Sequence, residues 1–433
     1  MLATLLFMSV AGSPPPSPLG AYLARPEAWS SRVVPMPPER TIGGRTTIEL
    51  TSGEEYGHTW RHQLLIQRPK KPATDAVGKS VDGAILYVTG DGPRPGDELE
   101  LSLLSNASGL TIAMLFDIPN QPLALPNTDG TASEPKREDE LIAETFARNI
   151  EDGGKTPPLL FPMTRAAMRA MDAVQKETGL DRFVVIGASK RGWTTWLAGT
   201  TGDPRIRGIA PMVYDNLNLP AQMRGQIAAW GQYSEMIEAY TALGLQAKLE
   251  TPAGQALSAS VDPYSRLAGL KAPVLVVNGT NDRYWPVDAV KSYWPAIRTP
   301  KWLLEIPNNP HGLNDRTRLV ATIGAFARRA LGGSVTTARW TFKNDHGKAR
   351  FAVAGLKGVR RTDIWMATAP SRDFRDAKWT RLPVLETASA TSHDLYVTPG
   401  SADYIALFAE ATVADAGGRT FTVSSPVEIL APN

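Results

Sequence analysis

Residues 182–199 read RFVVIGASKRGWTTWLAG, and the position of Ser189 in this stretch decides the fold. An apolar run ends at Gly187, Ser189 follows two residues later, and Lys190 and Arg191 intervene before Gly192. A hydrolase nucleophile elbow has the form G-x-S-x-G: a sharp strand-to-helix turn lifts the serine above the sheet, and small residues let strand and helix approach. Here the plus-two residue is Arg191 and the glycine comes one position later. The competing reading is an N-cap serine that opens an ordinary crossover helix. The stretch alone does not separate the two.

The surrounding pattern supplies context. Short runs rich in Val, Ile and Leu, apolar on both faces, predict buried strands at 62–68, 83–90, 110–118, 182–187, 206–214, 272–279 and 301–307. Helix patterns lie between them: EDELIAETFARNIED, MTRAAMRAMDAVQKETG, the segment after Ser189, VDAVKSYWPAI and DRTRLVATIGAFARRALGG. In the second, Met163, Ala167, Met171 and Val174 form one apolar face, and Gly179 and Gly332 are expected to stop their helices. This alternation predicts an α/β fold with a doubly wound, mostly parallel sheet. Residues 217–261 interrupt it with helices carrying Met, Trp and Tyr, which reads as a cap over the strand ends. Beyond Gly332-Gly333-Ser334 the texture becomes short alternating strands, which predicts a β-sandwich. The expected organisation is a signal-like N-terminus at 1–20, a hydrolase-type domain at 21–334 and a β-sandwich at 335–433.

Two further residues weigh against the cap-only reading of Ser189. Asp282 stands on the loop after APVLVVNG, and His311 on the loop after KWLLEIP. Ser, Asp, His, each behind its own strand, is the chain order of α/β-hydrolases. In such a site the histidine takes and returns the serine proton, while the aspartate fixes its tautomer and stabilises its charged form. A loop aspartate is usually solvated and a lone histidine often structural, so the order and spacing carry the inference. Asp288 and Asp215 are rival acids; Asp282 is ranked first because it lies closest behind a strand.

The oxyanion-hole candidates are the N–H of Lys190 and an N–H from the loop Gly90-Asp91-Gly92. That loop weakly resembles a dinucleotide motif, but its spacing is wrong and Pro93 and Pro95 spoil a helix start. Lys190 and Arg191 either pair on the helix face or aim a charge at substrate. Trp193, Trp196, Trp230 and Trp285 are candidates for stacking on a sugar or an aromatic substrate, or for core packing. His58 and His62 have the spacing of a helical zinc pair, but Thr59 replaces the glutamate of H-E-x-x-H and the neighbourhood alternates like a strand, so no metal is expected.

Composition narrows the classes. With 46 Lys+Arg against 43 Asp+Glu in 433 residues and no basic block, no nucleic-acid partner is expected. The absence of cysteine rules out disulfides, a thiolate nucleophile and Cys-ligated zinc. No interior run has spanning length, so an integral membrane protein is not expected. MLATLLFMSVAG resembles the apolar core of a secretion signal, though without a basic start.

GASKRGWTTWLAGTTGDPRIRGIAPMVYDNLN, VDPYSRLAGLKAPVLVVNGTNDRYWPVDA, PNQPL, REDELIAETF and PMTRAAMRAMDAVQ together resemble the PhoPQ-activated pathogenicity-related proteins (the PqaA type), from about Glu54 to the C-terminus. The resemblance implies an α/β-hydrolase-like protein, secreted or periplasmic, with an immunoglobulin-like C-terminal part and no assigned substrate. Its serine, aspartate and histidine fall on Ser189, Asp282 and His311, and S-K-R-G is the family's own form of the elbow. The terse NNPHGL is a mild departure around His311.

The expected function is an exported serine hydrolase acting on an ester or amide without a cofactor. Its substrate is a small molecule, peptide or glycan ester, with Arg191, Trp193, Asn120, Gln121, Trp230 and Trp285 as candidate pocket residues. The alternative is a secreted signalling or binding protein on a hydrolase scaffold, meeting a protein partner through the cap or the β-sandwich.

Overall fold

The computed structural model describes residues 17–35, 45–74, 78–345, 348–382, 391–396, 403–415 and 417–432. The signal-like segment therefore lies almost entirely outside the described residues. Nine strands form the main sheet: β1 (Ser30–Val34), β2 (Arg45–Glu55), β3 (His58–Gln67), β4 (Ala84–Val88), β5 (Thr111–Leu115), β6 (Phe183–Ala188), β7 (Ile206–Met212), β8 (Val274–Gly279) and β9 (Lys301–Ile306). Their order is β1-β2-β3-β5-β4-β6-β7-β8-β9. Pairing is antiparallel from β1 through β3 to β5 and parallel from β5 to β9. The parallel strands Val274–Gly279 and Phe183–Ala188 are buried almost throughout, as helices on both faces require.

The covering helices are α1 (Pro18–Leu23), α2 (Asp97–Ser108), α3 (Glu138–Glu151), α4 (Leu160–Thr178), α5 (Lys190–Gly199) and, after the sheet, α10 (Arg316–Leu331). Met163, Ala167, Met171 and Val174 are all buried, so the apolar face of α4 does pack on the core. Between β7 and β8 lie α6 (Leu219–Trp230), α7 (Glu238–Thr241), α8 (Leu245–Lys248) and α9 (Pro252–Val261). The mostly parallel α/β sheet with helices inserted before β8 is α/β-hydrolase-like. Among the described residues no helix is long and apolar enough to cross a membrane.

Three local expectations are corrected. VDAVKSYWPAI forms only two 3-10 turns, Ala289–Ser292 and Trp294–Ala296. Pro295 lacks an amide hydrogen and its ring clashes with the carbonyl four residues back, so a continuous α-helix cannot run through it, although a short 3-10 turn can start at Trp294. At the end of α10 the left-handed residue is Gly333 (φ +68), while Gly332 remains right-handed (φ −81); Gly179 does end α4 left-handed. β1, β2 and α2 had no counterpart in the sequence reading. In α2, Leu101 and Leu104 are buried but Leu99 and Leu103 are exposed, which blurs its apolar stripe.

The C-terminal region has two antiparallel sheets built from β10 (Arg339–Asp345), β11 (Lys348–Ala354), β12 (Val359–Ala369), β13 (Thr380–Leu382), β14 (Ser392–Tyr396), β15 (Tyr404–Ala414), β16 (Thr420–Ser424) and β17 (Glu428–Leu430). One sheet runs β10-β11-β14, the other β13-β12-β15-β16 with β17 also on β15. Ala349 and Phe351 of the first pack against Ile364, Ile405 and Leu407 of the second. The region also covers β9, the edge of the main sheet: Phe421 stacks on Trp302 at 5.3 Å, and the Glu305 N–H donates to Ser424 Oγ at 3.0 Å. An edge strand covered in this way is protected from pairing with another chain.

Candidate active site

Ser189 stands between β6 and α5 with φ 57 and ψ −125. This is a conformation L-residues avoid, at a cost of about 1–3 kcal/mol, so the surroundings must impose it. Its N–H donates to Met212 O at 2.9 Å, and its carbonyl accepts from Trp193 N at 3.0 Å. Positive φ recurs behind other strands of the sheet, at Asp117 after β5, Val213 after β7 and Asn308 after β9.

The unusual elbow has a steric explanation. A Cβ on Gly187 would lie 2.5 Å from Arg191 O, and one on Gly192 would lie 2.8 Å from Met212 O and 3.0 Å from Tyr214 Cβ. Gly192 is therefore the close-approach glycine, three residues after the serine rather than two. Arg191 runs away from the strand: its guanidinium donates to both Glu138 carboxylate oxygens at 2.8 Å and to the Ile118 carbonyl. Gly90 makes room for it, since a Cβ there would sit 2.9 Å from Arg191 Nη2. Gly192→Ala is expected to cost about 1–3 kcal/mol through overpacking against β7. Urea denaturation of the variant checks this, and an unchanged midpoint would remove Gly192 from the role.

Lys190 pairs with Asp139 at 2.9 Å and Glu138 at 3.2 Å. Burial alone would lower the lysine pKa, but the two carboxylates raise it on balance. Burial would likewise raise Glu138, yet the Arg191 hydrogen bonds and the Arg191 and Lys190 charges hold it at about 2. A depressed carboxylate stabilises the fold only while ionised. Its contribution is complete above the ordinary glutamate value of 4.5 and lost as pH falls through about 2. Glu138→Gln is thus expected to flatten the acid limb of stability between about pH 4.5 and 2, read from denaturation midpoints against pH. An acid limb equal to wild type would refute it.

Gln121 ties this cluster to the Gly90–Gly92 loop. Its amide donates to Asp91 Oδ1 at 2.9 Å and Glu138 Oε1 at 2.6 Å, and accepts from Glu138 N at 2.9 Å. Asp91 also meets Arg137 at 2.7 Å, and the Gln121 hydrogen bond leads in holding its carboxyl below the usual range. The Gly90 carbonyl accepts from Asp117 and Ile118. Val88 pairs in register with Gly187, so this loop leaves the sheet beside the elbow. Lys190 is the first residue of α5, where an N–H has no acceptor within the helix.

Asp282 and His311 meet. His311 Nδ1 lies 2.7 Å from Asp282 Oδ2, while Asp282 Oδ1 accepts from Tyr284 N at 2.9 Å. A carboxylate only accepts, so Nδ1 carries the hydrogen, and in the neutral form of the ring Nε2 would keep a free lone pair. Nε2 is buried with no hydrogen-bond partner among the described residues. The Tyr284 ring covers the imidazole, centroids 4.2 Å apart. Gly279 permits the approach of the two loops, because a Cβ there would sit 2.4 Å from Asn309 O. The rival Asp288 pairs with Arg372 at 2.7 Å. Asp215 is buried against Tyr293 (2.6 Å) and Asn278 (3.1 Å), and burial leads in pushing it up to about 7.

Ser189, Lys190, Trp193 and Trp285 line one cavity under the cap helices, together with Asp139, Tyr214 and Tyr284. Three other pocket candidates have different partners. Asn120 holds the Arg61 backbone at 2.7 and 2.8 Å, Trp230 lies 4.2 Å under the Arg375 guanidinium, and Arg191 is held by Glu138. His58 and His62 both lie on β3; His58 meets Ala124 O, and buried His62 meets Ser52 Oγ at 2.9 Å.

The C-terminal region braces the two loops, which the sequence did not reveal. Asn308 and Trp379 exchange two hydrogen bonds of 2.8 Å, and Asn281 donates to Ala377 O at 2.8 Å. Arg375 reaches Glu235 of the segment inserted between β7 and β8 at 2.8 Å.

A family model described as PhoPQ-activated pathogenicity-related protein matches residues 46–375. Autocrine proliferation repressor protein A of Dictyostelium discoideum is 31% identical over 401 residues, covering 86% of this chain and 79% of that protein. Among solved structures, an acetyl xylan esterase from Paenibacillus sp. R4 is 12% identical with TM-score 0.46, over 70% of this chain and 91% of that one. A puromycin-hydrolyzing peptidase of Mycobacterium tuberculosis is 16% identical with TM-score 0.43, over 67% of this chain and 39% of that one. The fold rests on the strand order given above, not on these distant likenesses.

Proposed function

The chain belongs to the PhoPQ-activated pathogenicity-related family, and from that premise we propose that it is an exported serine hydrolase cleaving an ester or amide. The supporting observation is the Asp282–His311 pair, held at 2.7 Å with Nε2 unpartnered among the described residues, in a sheet whose strand β6 is followed by Ser189 at φ 57.

In this reading Nε2 of His311 takes the Ser189 proton as Oγ attacks the carbonyl. The tetrahedral oxyanion receives the Lys190 N–H and one N–H from the Gly90–Gly92 loop. As the carbonyl reforms, the imidazolium returns its proton to the departing alcohol or amine. Water then attacks the acyl-enzyme with His311 again as base, and the imidazolium returns that proton to Ser189 Oγ as the Oγ–acyl bond breaks and the acid leaves. Asp282 holds the tautomer throughout. Lys190 and Arg191 act through ion pairs that fix the start of α5 relative to α3, rather than by facing substrate as free charges.

Export is proposed from the apolar residues 1–12. The C-terminal pair of packed antiparallel sheets is read as immunoglobulin-like. A second reading, a signalling or binding protein without turnover, draws on the name of the Dictyostelium discoideum relative, a proliferation repressor. A fluorophosphonate reagent separates the two. Covalent labelling of wild type, lost in Ser189→Ala and sharply reduced in His311→Ala, is the expected result; a folded protein that takes no label would sink the enzyme.

A further inference from the structure

The cavity beside Ser189 has a lining of two origins. Trp193 and Tyr214 stack with centroids 4.8 Å apart and 22° between rings, and Trp285 meets Tyr214 edge-on at 6.1 Å. The inserted helices also contribute aliphatic side chains to the lining, among them Met223 of α6, Leu245 of α8 and Leu257 of α9. Trp193 is fixed to the cap, since its Nε1 donates to Val261 O at 2.6 Å. The cavity has a volume of about 80 Å³.

Several polar groups on the wall are already engaged. Asp139 takes Lys190 at 2.9 Å and the Tyr240 hydroxyl at 2.9 Å, and the Gln246 amide donates to Thr241 at 3.0 Å. Tyr214 Oη, Asn216 Oδ1 and Trp285 Nε1 also belong to the wall and have no hydrogen-bond partner among the described residues. Each hydroxyl beyond these few, on a substituent entering this slot, would lose water without a partner, at a cost on the order of tenfold in binding. A methylene moved from water into it gains about fourfold.

We infer that the pocket selects an ester or amide with a bulky apolar acyl group, seated among the aromatic and aliphatic side chains of the lining with its carbonyl at Ser189. This rests on the serine-hydrolase reading and adds the substrate class to it.

Alkyl fluorophosphonates test both levels in the full chain, because the alkyl group on phosphorus stands where the acyl chain would. The second-order rate of Ser189 modification is expected to rise at least about 30-fold from methyl to octyl, several methylenes at roughly fourfold each being an upper bound. A phenethyl reagent is expected to exceed methyl as well. Met223→Glu, at the partly exposed edge of the cap wall, is expected to cut the octyl rate at least tenfold more than the methyl rate. A flat or falling series in protein that still labels at Ser189 would overturn the acyl-pocket inference alone. No labelling at Ser189 by any chain length, in folded protein, would overturn the hydrolase reading and this inference with it.

Discussion

Ser189→Ala is expected to lower hydrolysis of an activated ester by about 10⁴- to 10⁶-fold, the loss typical when the nucleophile of a serine hydrolase is removed. What survives would be the contribution of oxyanion stabilisation and binding. The fold should tolerate the change. The serine side chain makes no cap hydrogen bond to α5, and alanine at φ 57 is no more strained than serine. Its unfolding free energy should stay within about 1 kcal/mol of wild type, because no buried partner is orphaned. Turnover within tenfold of wild type in a stably folded variant would exclude the assignment.

Replacing the acid gives the second large effect. Asp282→Asn keeps shape and volume but puts an amide where a carboxylate accepted the Nδ1 hydrogen. The imidazole then favours the tautomer with hydrogen on Nε2, which cannot take a proton from Ser189. A loss in kcat of about 10⁴-fold is expected by analogy with other triads. Asp288→Asn removes only the ion pair to Arg372 at 2.7 Å, on a partly exposed arginine, and should cost less than about tenfold. Parallel kinetics on the two variants decide the matter, and the opposite ranking would transfer the role to Asp288.

These predictions depend on residues whose order was legible before any coordinates. Ser189, Asp282 and His311 each follow a short, wholly apolar run, and a buried parallel strand is among the strongest signals a chain carries. Weaker signals failed for local reasons. The 287–297 segment has helical periodicity but is stopped by Pro295. In α2, exposed Leu99 and Leu103 sit beside buried leucines, so its face cannot be read from periodicity alone.

By itself the sequence determined the α/β alternation, the inserted helices before β8 and the Ser, Asp, His order, because each follows from periodicity and spacing along the chain. Only the tertiary structure decided what Lys190 and Arg191 do, which glycine packs the elbow, and what braces the acid and base. Arg191 meets Glu138 across 53 residues, and Asn308 meets Trp379 across 71. Such partners are chosen by which strand ends lie side by side and how closely two backbones approach, and neither leaves a local periodic mark.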